Sequence, residues 1–188
     1  LLRLSGKHAT INNSIYAELA EATDGQIARY VDVMDAVDKK LNIEIKSPGH
    51  DEEDCSLTDS IIEDIQNRGR EDDIMISSIS SDVIRYIKET PPSIPTGQIY
   101  WLTSSTYLHF DRLTERLYKK FSESKADYLM LHVANLRNME GLLKLKPRGK
   151  TIMFWDFDDH MYLVRQNYHD RLWGTSVIGD FWKNIVYK

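Results

Sequence analysis

A glutamate inside an apolar run is the first residue with the makings of chemistry. Glu44 lies between Ile43 and Ile45 in the segment Leu41–Lys46 (LNIEIK). Burying an unpaired carboxylate costs several kcal/mol, so a buried strand would have to offer it a metal ion or another cation. Lys46 follows two residues later and, in an extended strand, points to the same side. The two side chains fit a carboxylate on a hard divalent cation with an ammonium nearby for a phosphate. They fit a structural Glu–Lys pair at a strand end just as well, and spacing alone leaves both open. Trp155 closes another apolar run, Thr151–Asp156 (TIMFWD). There it would either wall a pocket for a small polyol or pack into the core. Trp101 and Trp173 read as packing.

Three further patterns look chemical and are not. Gly149-Lys150-Thr151 resembles the tail of a phosphate-binding loop, but Lys144 stands where that loop needs its first glycine, and a strand follows where it needs a helix. Asp156-Phe157-Asp158-Asp159 after an apolar run is similar to the nucleophile segment of haloacid-dehalogenase-type phosphatases. Those enzymes carry it on their first strand and need motifs further along, for which too little chain remains. His50-Asp51 sits in a charged run, His50–Asp54, that reads as a solvated loop. The remaining histidines, His8, His109, His132, His160 and His169, show no metal-ligand spacing.

These residues must be positioned by a regular framework. Short apolar runs occur at Leu41–Lys46, Asp73–Ser78, Gln98–Thr103, Asp127–His132, Thr151–Asp156 and Ser176–Asp180, starting 24 to 32 residues apart. Each has the length and composition of a buried strand. The stretches between them are helical in pattern. Thr106–Ser122 places Leu108, Leu113, Leu117 and Phe121 on one face, and Ser56–Arg68 does so with Leu57, Ile61, Ile62 and Ile65. Ser81–Glu89 follows serines able to cap it, and Asn135–Lys146 ends before Pro147. Ser14–Ala22 and Gln26–Lys39 add two helices upstream.

Strict alternation of strand and helix means a parallel sheet with crossover helices. A doubly wound open sheet and an eight-stranded barrel both satisfy it. In a barrel, chemistry sits at the carboxyl ends of the strands, which here carry Glu44, Lys46, Ser77, Ser78, Trp101, Thr103, His132, Trp155, Asp156 and Asp180. The chain falls about 60 residues, or about two strand-helix units, short of a typical barrel.

Composition bounds the rest. The 188 residues suit one domain, residues 1–188, and 41% hydrophobic with 28% charged residues is a globular balance. The formal charge of −5 argues against broad nucleic-acid binding, so no nucleic-acid partner is expected. One cysteine, Cys55, excludes an internal disulfide framework and a cysteine-rich zinc site. No apolar run approaches the ~18 residues of a membrane helix. The chain starts at Leu1 rather than a methionine, and we expect a fragment.

At Leu41–Lys46 the sequence resembles the "EIK" strand of glycerophosphodiester phosphodiesterases, and the likeness extends both ways. Leu2-Arg3-Leu4-Ser5-Gly6, with Glu18-Leu19, is similar to the family segment that follows its second catalytic histidine. Ile76-Ser77-Ser78-Ile79 with Ser80-Ser81-Asp82 is similar to the "SF" strand and its helix. Gly149–Asp158 resembles the "G…VWTVN" strand, with Trp155 on its tryptophan, and Gly174–Asp180 resembles the closing "GVDGIITD" strand. The start is closest to members whose soluble domain follows an N-terminal membrane region.

The resemblance implies an α/β fold, a TIM-barrel-like parallel barrel that is incomplete and lacks about the first two strand-helix units. It implies metal-dependent hydrolysis of glycerophosphodiesters to glycerol 3-phosphate and an alcohol. In the family, two histidines act as general acid and base, and carboxylates hold a calcium or magnesium ion. Carried onto this sequence, Glu44 becomes a metal carboxylate, Lys46 a phosphate-proximal lysine and Trp155 a neighbour of the glycerol. The first histidine-arginine-glycine strand, the acidic residues of the second strand and the second histidine would all precede Leu1. His8 follows the Arg3–Gly6 match and does not replace them, so no catalytic residue is assigned here. The "TVN" segment is Asp156-Phe157-Asp158, and the closing aspartate-proline is Asp180-Phe181. The expectation is an inactive fragment of a membrane-associated enzyme, able to dimerise through open barrel edges. The alternative is a non-catalytic binding or scaffold domain of the same fold. An unrelated phosphatase using Asp156 is a third possibility.

Overall fold

Five of the six apolar runs form strands, and all five run parallel. The computed structural model describes residues 11, 14–47, 51–90, 94–100, 110–132, 135 and 139–155. The strands are β1 (Leu41–Ile45), β2 (Ile74–Ser78), β3 (Thr96–Tyr100), β4 (Tyr128–His132) and β5 (Thr151–Trp155). The helices, in chain order, are α1 (Tyr16–Ala22), α2 (Tyr30–Ala36), α3 (Asp51–Asn67), α4 (Ser81–Glu89), α5 (Phe110–Glu123) and α6 (Met139–Leu145). The sixth run, Ser176–Asp180, lies outside the described residues, as do Leu108, Trp101, Thr103, Asp156 and Trp173.

The chain divides into a unit Leu1–Lys39 and a unit Lys40–Lys188. In the first, α1 begins where the Glu18 carboxylate accepts the Ile15 N–H at 3.2 Å, covering a donor that the helix leaves unpaired. It ends where the Thr23 hydroxyl donates to the Leu19 carbonyl at 2.8 Å. Leu19 of α1 and Met34 of α2 are buried. At the start of α2, Arg29 pairs with Asp32 at 2.7 Å and lies over the Tyr16 ring.

In the second unit the strand order is β1-β2-β3-β4-β5, each strand beside its sequence neighbours. This decides between the two architectures. A doubly wound sheet reverses its order at a switch point and carries helices on both faces. Here the order never reverses. One continuous cluster packs Ile84 of α4, Leu117, Tyr118 and Phe121 of α5 and Leu142 of α6 against Leu129, Leu131, Ile152 and Phe154. The last four alternate along β4 and β5, so these three helices share one side of the sheet. One-sided helices over a sequentially ordered parallel sheet are a barrel wall. Among the described residues the sheet is open at β1 and β5. The register slips along it: Ser77, fourth in β2, pairs with Gly97, second in β3, which pairs with Tyr128, first in β4. Such stagger is what tilted barrel strands require.

Three local expectations need correction. The acidic run after His50 is no loop, because residues 51–54 open α3. Glu52 and Glu53 stand at the positive end of that helix's dipole, where acidic residues stabilise it. Leu57 does not join the buried face of α3; it is 49% exposed. The buried stripe is Asp54, Thr58, Ile61, Ile62 and Ile65, which is the same helical spacing shifted to include two polar residues. Thr58 fits there because its hydroxyl donates to the Asp54 carbonyl at 2.6 Å, and the Asp54 carboxylate accepts from Ser47. Finally, β3 begins at Thr96, two residues before the apolar run, because the Asp127 carboxylate accepts the Thr96 N–H at 2.9 Å.

Candidate functional site

Parallel register partners lie on one face, so each strand divides into two sets. Ile76, Ser78, Gln98, Leu129, Leu131, Ile152 and Phe154 fall on the helix side. Glu44, Ser77, Gly97, Ile99, Met130, Met153, His132 and Trp155 fall on the opposite side, which in a barrel is the interior. The candidate site is the carboxyl-end rim of that second face, and Glu44 is the one carboxylate among the described strand residues.

The Glu44 side chain is not buried as its apolar neighbours suggested. It is 43% exposed and accepts a hydrogen bond from Lys46 Nζ at 2.9 Å, with Lys46 itself 79% exposed. The reason is positional: β1 is the flank of the described sheet, with β2 on one side only. Exposed ion pairs of this sort contribute between about 0 and 1 kcal/mol, so the pair is easily opened. Trp155 ends β5 as the register partner of His132, the last residue of β4; its side chain lies outside the described residues. Glu44 and Lys46 are thus brought together, while Glu44 and Trp155 sit at opposite flanks of the sheet.

The backbone around the rim is held by polar side chains: Ser78 and the capping serines stand out in the sequence, whereas Gln98 and Asn135 do not. The Ser78 hydroxyl donates to the Ile45 carbonyl at 2.7 Å and accepts the Ser80 N–H at 3.1 Å. Ser80 in turn caps α4 by accepting the Val83 N–H at 3.3 Å. Gln98, fully buried, donates from Nε2 to the carbonyls of Ser78 (3.2 Å) and Ile79 (3.0 Å). The loop after β1 is tied to α3 by Ser47 and Asp54. Asn135 donates to the His132 carbonyl at 2.8 Å. A lone glutamine within an apolar run, and two serines ending another, were the signals available in the sequence.

Two buried atoms lack a hydrogen-bond partner among the described residues, Ser77 Oγ and Gln98 Oε1. Native structures hold few such atoms. Tyr100 sits on the helix side, and burial, with a smaller contribution from Glu123, pushes its phenol up to about 12, so it stays neutral near pH 7 and is no general base there. A groove of about 230 Å³ between α3 and α4 is lined by Asp54, Cys55, Asp82, Arg85 and Tyr86 among others, and none of Glu44, Lys46 or Ser77 lines it.

Among the described residues no three His, Cys, Asp or Glu side chains gather as a metal-holding cluster. The donors present fit a hard cation in kind: a carboxylate, and on its register partner an unpaired hydroxyl. They are fewer than the about six oxygens such an ion takes.

The profile of the glycerophosphoryl diester phosphodiesterase family matches residues 1–181. The chain belongs to that family. The family fold is a TIM barrel, and the one-sided, sequentially ordered parallel sheet is an unclosed version of it. Solved structures similar to the chain include a glycerophosphodiester phosphodiesterase from Parabacteroides distasonis ATCC 8503, 16% identical with a TM-score of 0.48 over 63% of this chain. Another, assigned as a glycerophosphoryl diester phosphodiesterase, comes from Silicibacter pomeroyi DSS-3 and is 18% identical with a TM-score of 0.49 over 62% of this chain. The matches span 45% and 39% of those two chains, less than half of each. No curated protein matches the chain.

Proposed function

We propose that the protein to which this chain belongs is a metal-dependent hydrolase of glycerophosphodiesters, releasing glycerol 3-phosphate and an alcohol. One observation carries the proposal: the only carboxylate of the described strands, Glu44, stands near the carboxyl end of β1 on the face away from the helices, two residues from Lys46. That end of a parallel barrel is where ligands bind. The match of the family profile across both compact units supports treating residues 1–188 as one domain.

In this proposal Glu44 is one carboxylate of a calcium or magnesium site. Lys46, two residues on, would hold the substrate phosphate, and Trp155 would stand beside the glycerol. When bound, the cation supplies positive charge to the phosphoryl oxygens as negative charge develops on them. Water adds to phosphorus, the bond to the alcohol oxygen breaks, and the alcohol leaves with a proton. In this proposal neither histidine that would move those protons is assigned to a residue of this polypeptide, and each such group is worth about 10²–10⁴-fold. The 188-residue chain is therefore expected to release no glycerol 3-phosphate above blank from a glycerophosphodiester with calcium.

The Glu44–Lys46 ion pair also favours a second reading, a non-catalytic binding or scaffold module in which the two charges simply neutralise each other. Calorimetric titration with calcium separates the two. The hydrolase reading expects the full gene product to bind calcium and its Glu44→Gln variant not to; no binding by the unsubstituted full gene product overturns it and favours the scaffold.

Two further expectations belong to the same proposal. The parent protein is membrane-associated, although no helix among the described residues is long and apolar enough to cross a membrane. Recovery of the full gene product in the soluble fraction would remove that feature. The chain also pairs with a second copy through the open flank at β1 or β5, an expectation that a monomeric mass in light scattering would refute.

A further inference from the structure

Charge is unevenly placed along this chain. Residues 116–150 carry nine lysines and arginines against three aspartates and glutamates, in a chain whose formal charge is −5. Such asymmetry points to an anionic partner for the basic part. The fold gathers these cations in one place. α5 ends at Glu123 just before β4, and α6 ends at Leu145 just before β5, so both helix ends and the turns after them lie at the amino end of those two strands. Lys150 Nζ donates to the Ala126 carbonyl at 2.6 Å, which ties one turn to the other. The Tyr118 hydroxyl of α5 donates to the Leu142 carbonyl of α6 at 2.6 Å, which ties the two helices. Lys119, Lys120, Lys125, Lys144 and Arg148 are exposed there. Lys146 and Lys150 are half-buried and donate to main-chain carbonyls, which leaves their charge uncancelled. Carboxylates temper the patch without reversing it: Glu89 pairs with Lys125, Asp127 pairs with Lys88, and Glu123 is exposed nearby.

We propose that this face, formed by the ends of α5 and α6 with the turn 146–150, docks on an anionic lipid surface. Apolar and basic residues are interleaved in it. Leu143, Leu145 and Pro147 are each partly exposed between the cations, a mixture suited to the headgroup layer of a bilayer. Nucleic acid fits less well. The nearby rings of Tyr118 and Phe121 are buried and offer bases nothing to stack on. The rest of the chain is acidic and repels a polyanion long enough to pass beyond the patch. Each cation close to an anionic bilayer adds about fivefold to affinity, and the attraction fades within a Debye length of about 8 Å at physiological salt. The inference needs neither a metal ion nor a substrate, so it stands or falls apart from the hydrolase reading. It gives the membrane association expected of the parent a surface on this chain itself.

The test is flotation of the full chain with two kinds of vesicle, phosphatidylcholine alone and phosphatidylcholine with about one third phosphatidylserine, at about 0.05 M and about 0.5 M salt. The chain is expected to float with the serine-containing vesicles at the lower salt, and to stay behind at the higher salt or with phosphatidylcholine alone. Lys144→Ala combined with Arg148→Ala should weaken binding about 30-fold. Arg85→Ala removes an exposed cation of α4 outside this face and should change it less than about twofold. Should the double variant disturb folding, Lys119→Ala combined with Lys120→Ala takes its place. No binding to serine-containing vesicles at the lower salt overturns the proposal, as does equal binding to both kinds of vesicle. Equal effects of Arg85→Ala and the double variant overturn the assignment to this face. Binding of a duplex oligonucleotide without binding of vesicles overturns the lipid assignment in favour of nucleic acid.

Discussion

The two ends of the parallel sheet are built to different rules. At the amino end, polar groups are closed off by one another. The Asp127 carboxylate accepts from Lys88 Nζ at 2.9 Å, from the Thr96 N–H at 2.9 Å and from the Thr96 hydroxyl at 3.2 Å. Lys150 donates to the Ala126 carbonyl at 2.6 Å and lies over the Phe121 ring. Lys125 pairs with Glu89 at 2.8 Å, joining the ends of α5 and α4. At the carboxyl end, the Glu44–Lys46 pair is open to solvent, and Ser77 Oγ has no partner among the described residues. An end whose donors and acceptors are mutually satisfied contributes stability. An end that leaves some unsatisfied has capacity for a ligand.

The largest expected effect lies beneath the amino end. Phe121 is fully buried at the centre of the core cluster. Phe121→Ala should cost about 3–5 kcal/mol in urea unfolding, and a loss under about 1 kcal/mol would mean that the cluster does not support that end.

Next comes Asp127→Ala, which strands one buried backbone donor and an ammonium that is mostly covered. We expect about 2–3 kcal/mol of destabilisation with the calcium affinity of the full gene product unchanged. Glu44→Gln should do the reverse, leaving stability within about 0.5 kcal/mol while removing calcium binding. If both substitutions lower stability alike, the contrast between the two ends fails.

The smallest effect is a pH dependence. The hydrogen bond from Lys125 holds the Glu89 carboxyl below its ordinary value of 4.5. A carboxyl lowered on folding contributes stability that is present above its ordinary value and lost as pH falls through the lowered one. The acid-side decline in the urea midpoint should therefore be slightly steeper for the unsubstituted chain than for Lys125→Ala. Identical curves would show that this surface pair contributes nothing measurable.

Much of the frame was readable from residue order. The runs at 41, 73, 127 and 151 became strands, and Ser81–Glu89 became α4 with the boundaries its serines and prolines mark. The errors fell where a distant partner overrides local pattern. Thr96 joins β3 because of Asp127, 31 residues away. Asp54 and Thr58 displace Leu57 from the buried stripe of α3 because Ser47 and the helix backbone satisfy them. The apolar neighbours of Glu44 suggest a buried carboxylate where the structure has a half-exposed one, since a strand's apolar neighbours do not reveal whether it lies at a sheet's flank.

The residue order by itself determined the alternation of parallel strands and helices and the residues at the strand ends, because apolar periodicity reports which local face meets the core. Only the folded chain decided that the strands follow one another without reversal, that α4, α5 and α6 share one side, and that Ser77 and Glu44 become neighbours. Those facts depend on pairing between segments tens of residues apart, and no local window of the sequence carries the energy of that pairing.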